Sequence, residues 1–172
     1  MKQFIKQIWI VSLCSVILSS CYTSKIYIVR HAERLDQSED TPLSAAGYLR
    51  AQALVDSLKL KKIDSIFVTK YQRNRYTAKP LADYLGKQMI IYEPKPNNII
   101  VKRLGNLKGK NALVVGHSDT ILEITKGLGT LPSLPKIEST DYDNLFVITV
   151  KKTLLGTKRT LEEKTYGVET KP

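Results

Sequence analysis

Short apolar runs alternate with segments of helical spacing along most of this 172-residue chain, and this alternation limits the possible folds more than any other feature. The apolar runs cover residues 25–29, 63–68, 88–92 and 112–115. The segments of helical spacing follow them at residues 43–60, 72–85, 98–104 and 119–126. Strands that alternate with helices predict a layered α/β fold, in which helices flank a mostly parallel central sheet. Residues 145–150 and 159–166 are predicted to close the chain with a hairpin around Gly156.

The chain contains two histidines, and each follows a predicted strand. His31 comes directly after Arg30 at the end of the first apolar run, and His117 follows Gly116 at the end of the fourth. Ligands of open α/β sheets bind beyond the carboxyl ends of the strands. We therefore expect the two imidazoles to share one functional site.

The residue types around the two histidines favour phosphate chemistry. Two histidines are too few for a zinc site made by protein alone, which takes three or four ligands, and no serine or cysteine nucleophile occupies an elbow motif. A neutral imidazole is a good nucleophile, and guanidinium groups neutralise charge that develops on phosphoryl oxygens. Arg30, next to His31, supplies such a group.

Four segments, in order, resemble the signature motifs of the histidine phosphatase superfamily, the phosphoglycerate mutase-like proteins. Residues 29–33 (Val-Arg-His-Ala-Glu) resemble its Arg-His signature, and residues 116–120 (Gly-His-Ser-Asp-Thr) resemble its Gly-His-Ser-Asn-Thr signature. Residues 69–78 resemble its Ser-Pro-Leu-x-Arg-Ala-x-x-Thr-Ala segment, and residues 43–47 resemble the start of a helix in the family. The resemblance implies a phosphoglycerate mutase-like fold and a phosphatase that needs no cofactor or metal.

The resemblance also assigns roles to particular residues. His31 matches the nucleophile that becomes phosphorylated, and Arg30, Arg73 and His117 match the other members of the phosphate pocket. A protonated His117 is expected to help the two arginines stabilise the phosphoryl oxygens. Arg75 has no counterpart in the family and is expected to be a solvated helix residue.

The proton donor to the leaving group is less well defined. Glu93, just after the third predicted strand, is the best positional match to the carboxylate that often serves in the family. Asp119 is the second candidate, and Glu33 and Asp143 remain open as alternatives.

The departures from the family pattern favour a small phosphatase over a mutase. The large insertion of the mutases is missing, and Asp119 stands in place of the usual asparagine. Lys70 and Tyr71 replace Pro-Leu, which is expected to change a loop and leave the chemistry intact. We expect an exported phosphatase that hydrolyses phosphate monoesters through a phosphohistidine. A phosphohistidine phosphatase and a non-catalytic phosphate-binding lipoprotein are the alternatives.

The first 21 residues have the features of a lipoprotein signal peptide. Lys2 and Lys6 precede an apolar run at residues 8–18, which is shorter than the roughly 20 residues that span a bilayer. The run ends in Leu-Ser-Ser-Cys, which resembles a bacterial lipobox with Cys21 as the acylated residue. We expect residues 1–20 to be removed, residues 21–24 to form a lipidated tether, and residues 25–172 to form the phosphatase domain.

The charge and the predicted export together define the expected partners. The formal net charge of +11 attracts anions, but the lysines are scattered and no basic, aromatic-interleaved patch is present, so no nucleic acid is expected. The expected partners are a phosphorylated small molecule or envelope substrate, and a membrane that is reached through the lipid on Cys21. The expected location is the bacterial cell envelope, outside the cytoplasm.

Overall fold

A computed structural model describes residues 21–170 as one six-stranded sheet with helices on both faces. The predicted signal peptide, residues 1–20, lies outside the described residues. The strands are β1 (Tyr22–Arg30), β2 (Ile63–Val68), β3 (Met89–Ile91), β4 (Asn111–Gly116), β5 (Asn144–Thr153) and β6 (Gly156–Thr165). The helices are α1 (Ala45–Leu58), α2 (Gln72–Leu85), α3 (Asn98–Gly105) and α4 (Ser118–Gly127).

The sheet has the strand order β3-β2-β4-β1-β5-β6. The first four of these strands pair in parallel, and β5 is antiparallel to both of its neighbours. The predicted fold class, a mostly parallel sheet flanked by helices, is confirmed. Because β1 and β4 are adjacent and parallel, their carboxyl ends meet at the same edge of the sheet.

Alternate residues of the central strands enter two separate apolar cores, as the two-residue period of a strand requires. Ile28 and Val114 enter the core beneath α3 and α4. Val29 and Val115, the next residue in each strand, enter the core beneath α1 and α2. The central strands are buried on both faces, which explains why they read as continuous apolar runs.

The helix ends follow the local signals of the sequence. Ser44 caps α1 because its hydroxyl accepts a hydrogen bond from the Gly47 N–H at 3.1 Å. Gly86 ends α2 in the left-handed region, with φ of 61°. Pro80 lies inside α2, which continues through it.

The prediction of a tether at residues 21–24 is wrong for residues 22–24. These residues begin β1, and Tyr22 pairs with Lys152 while Ser24 pairs with Val150. The polar sequence of this segment gave no strand signal, because its pairing depends on β5, more than a hundred residues later. Within residues 21–170, none of the helices has the length and apolar character needed to cross a membrane.

Candidate active site

The two histidines come together where β1 and β4 end. Arg30 is in register with Gly116, and the N–H of His31 donates to the Gly116 carbonyl at 2.9 Å. The ring centres of His31 and His117 are 5.5 Å apart. This proximity follows directly from the parallel pairing of the two strands.

His31 is held in the tautomer that leaves one nitrogen free to attack. It is 4% exposed, and its Nδ1 lies 2.9 Å from the carbonyl oxygen of Ala32. A carbonyl oxygen only accepts hydrogen bonds, so Nδ1 carries the proton and Nε2 keeps its lone pair. Burial, aided by the charges of Arg30 and Arg73, lowers the pKa of His31 to about 3, so the ring is neutral at neutral pH.

Arg30 is fixed by contacts that leave donors of its guanidinium available. Its Nη1 donates to the carbonyls of Glu138 and Asp141, both at 2.8 Å, and its guanidinium carbon lies 4.0 Å from the ring centre of Tyr142. Stacking against the face of an aromatic ring stabilises a guanidinium cation. Within residues 21–170, its buried Nε has no hydrogen-bond acceptor, so the group retains a donor for an anion.

Arg73 is fixed in a similar way from another part of the chain. It lies in the first turn of α2, where its Nη1 donates to the Glu39 carbonyl at 2.6 Å. The Tyr71 ring centre is 4.4 Å from its guanidinium carbon. Its buried Nε likewise lacks an acceptor among the described residues.

His117 lies at the start of α4 and is only partly exposed. Its Nε2 is 3.2 Å from the Thr69 hydroxyl, and its backbone N–H donates to the hydroxyl of Thr120 at 3.0 Å. Burial, together with the charge of Arg73, lowers the pKa of His117 to about 4. His117 is therefore neutral in the protein alone, because two nearby guanidiniums and burial both disfavour a third cation. A protonated His117 beside bound phosphoryl oxygens stays a prediction.

Two buried polar residues on α2 hold the strand ends in place. The side-chain amide of Asn74 donates to the carbonyls of Val115 and Gly116 at 3.1 and 3.0 Å. The hydroxyl of Thr77 accepts from the N–H of Ala32, next to His31, at 2.8 Å. The helix that carries Arg73 is thereby tied to both histidine-bearing strand ends.

Gly116 allows this close packing. A Cβ at this position would lie 2.7 Å from Cγ2 of Ile121 and 3.0 Å from the Tyr92 hydroxyl oxygen. A larger residue would therefore displace the segment that carries His117.

The four candidate proton donors occupy different environments. Glu93 is exposed, and Asp119 forms an ion pair with Lys95 at 2.7 Å. Glu33 is paired with Arg50, and Asp143 accepts a hydrogen bond from the N–H of Thr170 at 2.9 Å. Glu33 and Asp143 are thus engaged in structural contacts.

An open cleft of about 430 Å³ lies beside His117 and Arg73, and its lining does not include His31 or Arg30. Its lining residues are Tyr71, Arg73, Pro94, Lys95, His117, Asp119 and Thr120. The lining includes Asp119 and does not include Glu93, whose neighbours Pro94 and Lys95 are present. Within residues 21–170, no three His, Cys, Asp or Glu side chains converge as metal ligands would.

Sequence reasoning missed three residues that shape the site. Tyr71 and Tyr142 support the two arginines, and the Tyr71 ring also meets His117 edge-on with ring centres 5.5 Å apart. Asn74 ties α2 to β4. The only available signal was that Tyr71 and Asn74 depart from the Leu and Ala of the family segment.

Comparisons with known proteins find similarity to phosphatases in sequence and in fold. The family model for the histidine phosphatase superfamily, branch 1, matches residues 26–95. The chain is 26% identical to a Hydrogenobacter thermophilus protein named "Putative phosphoserine phosphatase 2", over 72% of this chain and 71% of that protein.

Two solved structures have the same fold. A mycobacterial glucosyl-3-phosphoglycerate phosphatase superimposes with a TM-score of 0.67 at 13% identity, covering 84% of this chain and all of that one. The protein histidine phosphatase SixA, solved with tungstate, superimposes with a TM-score of 0.59 at 17% identity, covering 82% of this chain and 96% of that one.

Proposed function

We propose that the chain is a histidine phosphatase, as the family model that matches residues 26–95 supports, and that it hydrolyses phosphate monoesters through a phosphohistidine on His31. The observation that carries the proposal is the state of His31. Its Nδ1 is bound to the Ala32 carbonyl, and burial keeps the ring neutral. A neutral, oriented imidazole with a free Nε2 is a nucleophile ready for in-line attack.

The reaction has two steps. In the first, the Nε2 lone pair of His31 attacks phosphorus, an N–P bond forms, and the ester P–O bond breaks. The leaving oxygen takes a proton and departs as an alcohol. In the second, water attacks the phosphohistidine, the N–P bond breaks, and inorganic phosphate and neutral His31 are restored.

Fixed cations stabilise the charge of the transferring group. The guanidiniums of Arg30 and Arg73 are held by backbone carbonyls, and among the described residues their Nε–H groups have no acceptor, so both are oriented donors for phosphoryl oxygens. His117 is neutral before binding, and a phosphate dianion beside it raises its pKa. Substrate binding is therefore coupled to proton uptake by His117.

Asp119 is the carboxylate that we favour as the proton donor. Both carboxylates are exposed, but Asp119 lines the cleft next to His117 and Glu93 does not. Lys95 holds the pKa of Asp119 below its usual range in the absence of an anion. A dianionic ester nearby raises that pKa again, because two negative charges disfavour each other. Glu93 remains the alternative.

We also propose that the enzyme acts in the cell envelope, anchored by a lipid on Cys21. The apolar run at residues 8–18 and the Leu-Ser-Ser-Cys ending support export. Cys21 is exposed, as a residue that receives a lipid must be.

His31→Ala in the full chain is the direct test. Wild-type protein is expected to hydrolyse p-nitrophenyl phosphate, and the variant is expected to lose nearly all turnover. Brief incubation with radiolabelled phosphate ester should give acid-labile, base-stable label on wild type and none on His31→Ala, as expected for an N–P bond.

The same protein can be screened against phosphoserine, sugar phosphates and a phosphohistidine peptide, which separates the two phosphatase alternatives. Wild-type turnover in His31→Ala would refute the nucleophile assignment. Tight phosphate binding without turnover of any ester would instead support a non-catalytic binding protein.

A further inference from the structure

Three segments lie together at the amino ends of the strands, opposite the active site. Residues 59–62 lead into β2, residues 106–110 lead into β4, and residues 151–158 form the tip of the β5–β6 hairpin. Asn111 connects the first two, because its side chain donates to the Lys61 carbonyl at 3.0 Å. We call these segments the amino-terminal face.

This face is strongly basic. Its three segments contain no acidic residue, although Asp56 and Asp64 border them, and they contain eight lysines: Lys59, Lys61, Lys62, Lys108, Lys110, Lys151, Lys152 and Lys158. Among the described residues, only Lys59 has a carboxylate within ion-pair distance, that of Asp56. The other seven lysines create a positive electrostatic potential at this face, which attracts an anionic surface.

The hairpin tip adds exposed apolar side chains to this charge. Leu154 is 65% exposed and Leu155 is 101% exposed, so both stand free of the domain. Lysines 151, 152 and 158 flank them within four residues. Leucine side chains surrounded by lysines match the interface of an anionic bilayer, where the apolar tip enters and the ammonium groups meet the headgroups.

The chain direction places the amino-terminal segment at this same face. Tyr22 pairs with Lys152 at the base of the hairpin, and the Ser24 hydroxyl accepts from the Gly109 N–H at 2.9 Å. Cys21, the residue before Tyr22, therefore lies at this face. A lipid on Cys21 would put a membrane anchor here.

Two of the lysines occupy unfavourable backbone positions. Lys62 and Lys108 have φ values of 51° and 47°, in the left-handed region where glycine or asparagine fits better. Lysine at these turns carries a conformational cost, which is offset if its charge serves an interaction.

We propose that the amino-terminal face docks on an anionic bilayer, with Leu154 and Leu155 inserted among the lipid headgroups. β1 runs from this face to the active site through nine residues, so the site lies about 26 Å from the docked end. It then opens away from the membrane that holds the protein. If the proposed function is right, the substrate is a soluble phosphate monoester and not a phospholipid of the same leaflet.

The test uses the full chain with Trp9→Phe, which removes the one tryptophan of the sequence, and with Leu155→Trp as a reporter. The protein is reconstituted in phosphatidylcholine vesicles with and without phosphatidylglycerol, some of the lipid being brominated. The indole emission is expected to shift to the blue and to be quenched by the brominated lipid when phosphatidylglycerol is present. Leu35→Trp, on the loop beyond β1 at the active-site end, is the matched control and should remain unquenched.

Lysine removal tests the electrostatic part. A lysine near an anionic surface contributes about 1 kcal/mol, or roughly fivefold in binding. Changing Lys108, Lys110 and Lys152 to glutamine should lower the ratio of docked to undocked protein on the order of 100-fold. Lys70→Gln with Lys136→Gln, outside the amino-terminal face, should leave the quenching unchanged.

The proposal fails if the Leu155→Trp reporter is not quenched in vesicles that contain phosphatidylglycerol. It also fails if quenching is independent of phosphatidylglycerol and of the three lysines, because the anchor alone would then hold the tip near lipid. The readout does not involve turnover, and His31→Ala should dock like wild type. Failure of the phosphatase proposal would thus be seen separately.

Discussion

Arg50 and Glu33 form a buried bidentate ion pair in which Nη2 lies 2.7 Å from Oε1 and Nε lies 3.0 Å from Oε2. Their side chains are 3% and 19% exposed. Arg50 also donates to the carbonyls of Tyr166 and Val168, both at 3.0 Å. This pair therefore fastens the last segment of the described chain to the loop that follows His31.

Glu33→Gln is expected to lower the free energy of unfolding by about 3 kcal/mol, because it leaves Arg50 buried without a counter-charge. Urea unfolding measures the change. Asp83→Asn, in the exposed Lys79–Asp83 pair, is the control and should cost less than about 1 kcal/mol. Folded Glu33→Gln should keep most of its turnover. A loss of roughly 100-fold would instead identify Glu33 as an acid–base catalyst.

The neutral, buried His31 makes stability depend on pH. Its pKa is about 3 in the folded protein and ordinarily 6.5, so the unfolded chain binds more protons between these values. The neutral ring leaves the free energy of unfolding at its full value above about pH 6.5, and this free energy falls as the pH drops toward 3. Between pH 7 and pH 5, wild type should lose about 2 kcal/mol more than His31→Gln does in urea unfolding. Equal losses would mean that the folded ring is not held neutral.

Arg73 and Arg75 both lie in the first turn of α2, but of the two only the half-buried Arg73 lines the cleft. Arg73→Ala is expected to reduce kcat/KM about 100-fold or more, because a fixed donor to the phosphoryl oxygens is lost. Arg75→Ala, with the same change of charge, should retain nearly full activity. Similar losses in both variants would point to a general field effect rather than a specific contact.

Anion binding should be coupled to protonation of His117. The pKa of His117 is about 4 in the protein alone, and a bound dianion raises this pKa. Sulfate stays a dianion from pH 7 to pH 5, so calorimetry at constant ionic strength should give tighter binding at pH 5. His117→Gln should bind more weakly and with less pH dependence. A wild-type affinity that does not change with pH would contradict proton uptake.

The two remaining proton-donor candidates can be separated by substrate choice. Asp119→Asn is expected to slow the hydrolysis of an alkyl phosphate roughly 100-fold. The same variant should slow p-nitrophenyl phosphate much less, since its leaving group needs little protonation. Glu93→Gln should affect neither substrate. The reverse pattern would restore Glu93 as the donor.

The sequence by itself determined the elements and the location of the chemistry. Apolar runs and helical spacing identified the strands and helices, because those patterns reflect burial that each segment carries within itself. His31 and His117 could be placed at strand ends for the same reason. Their meeting also followed, since parallel strands bring their carboxyl ends to one edge.

Only the tertiary structure decided which side chains support that chemistry. The Tyr142 ring packs against the Arg30 guanidinium, and the Asn74 side chain donates to the carbonyls of β4. Both contacts join residues that are far apart in the chain. Burial and the nearby charge of Arg73 lower the pKa of His117, and Arg50 holds Glu33 in an ion pair. Hydrogen bonds and desolvation depend on distances between elements, and a one-dimensional pattern does not contain those distances.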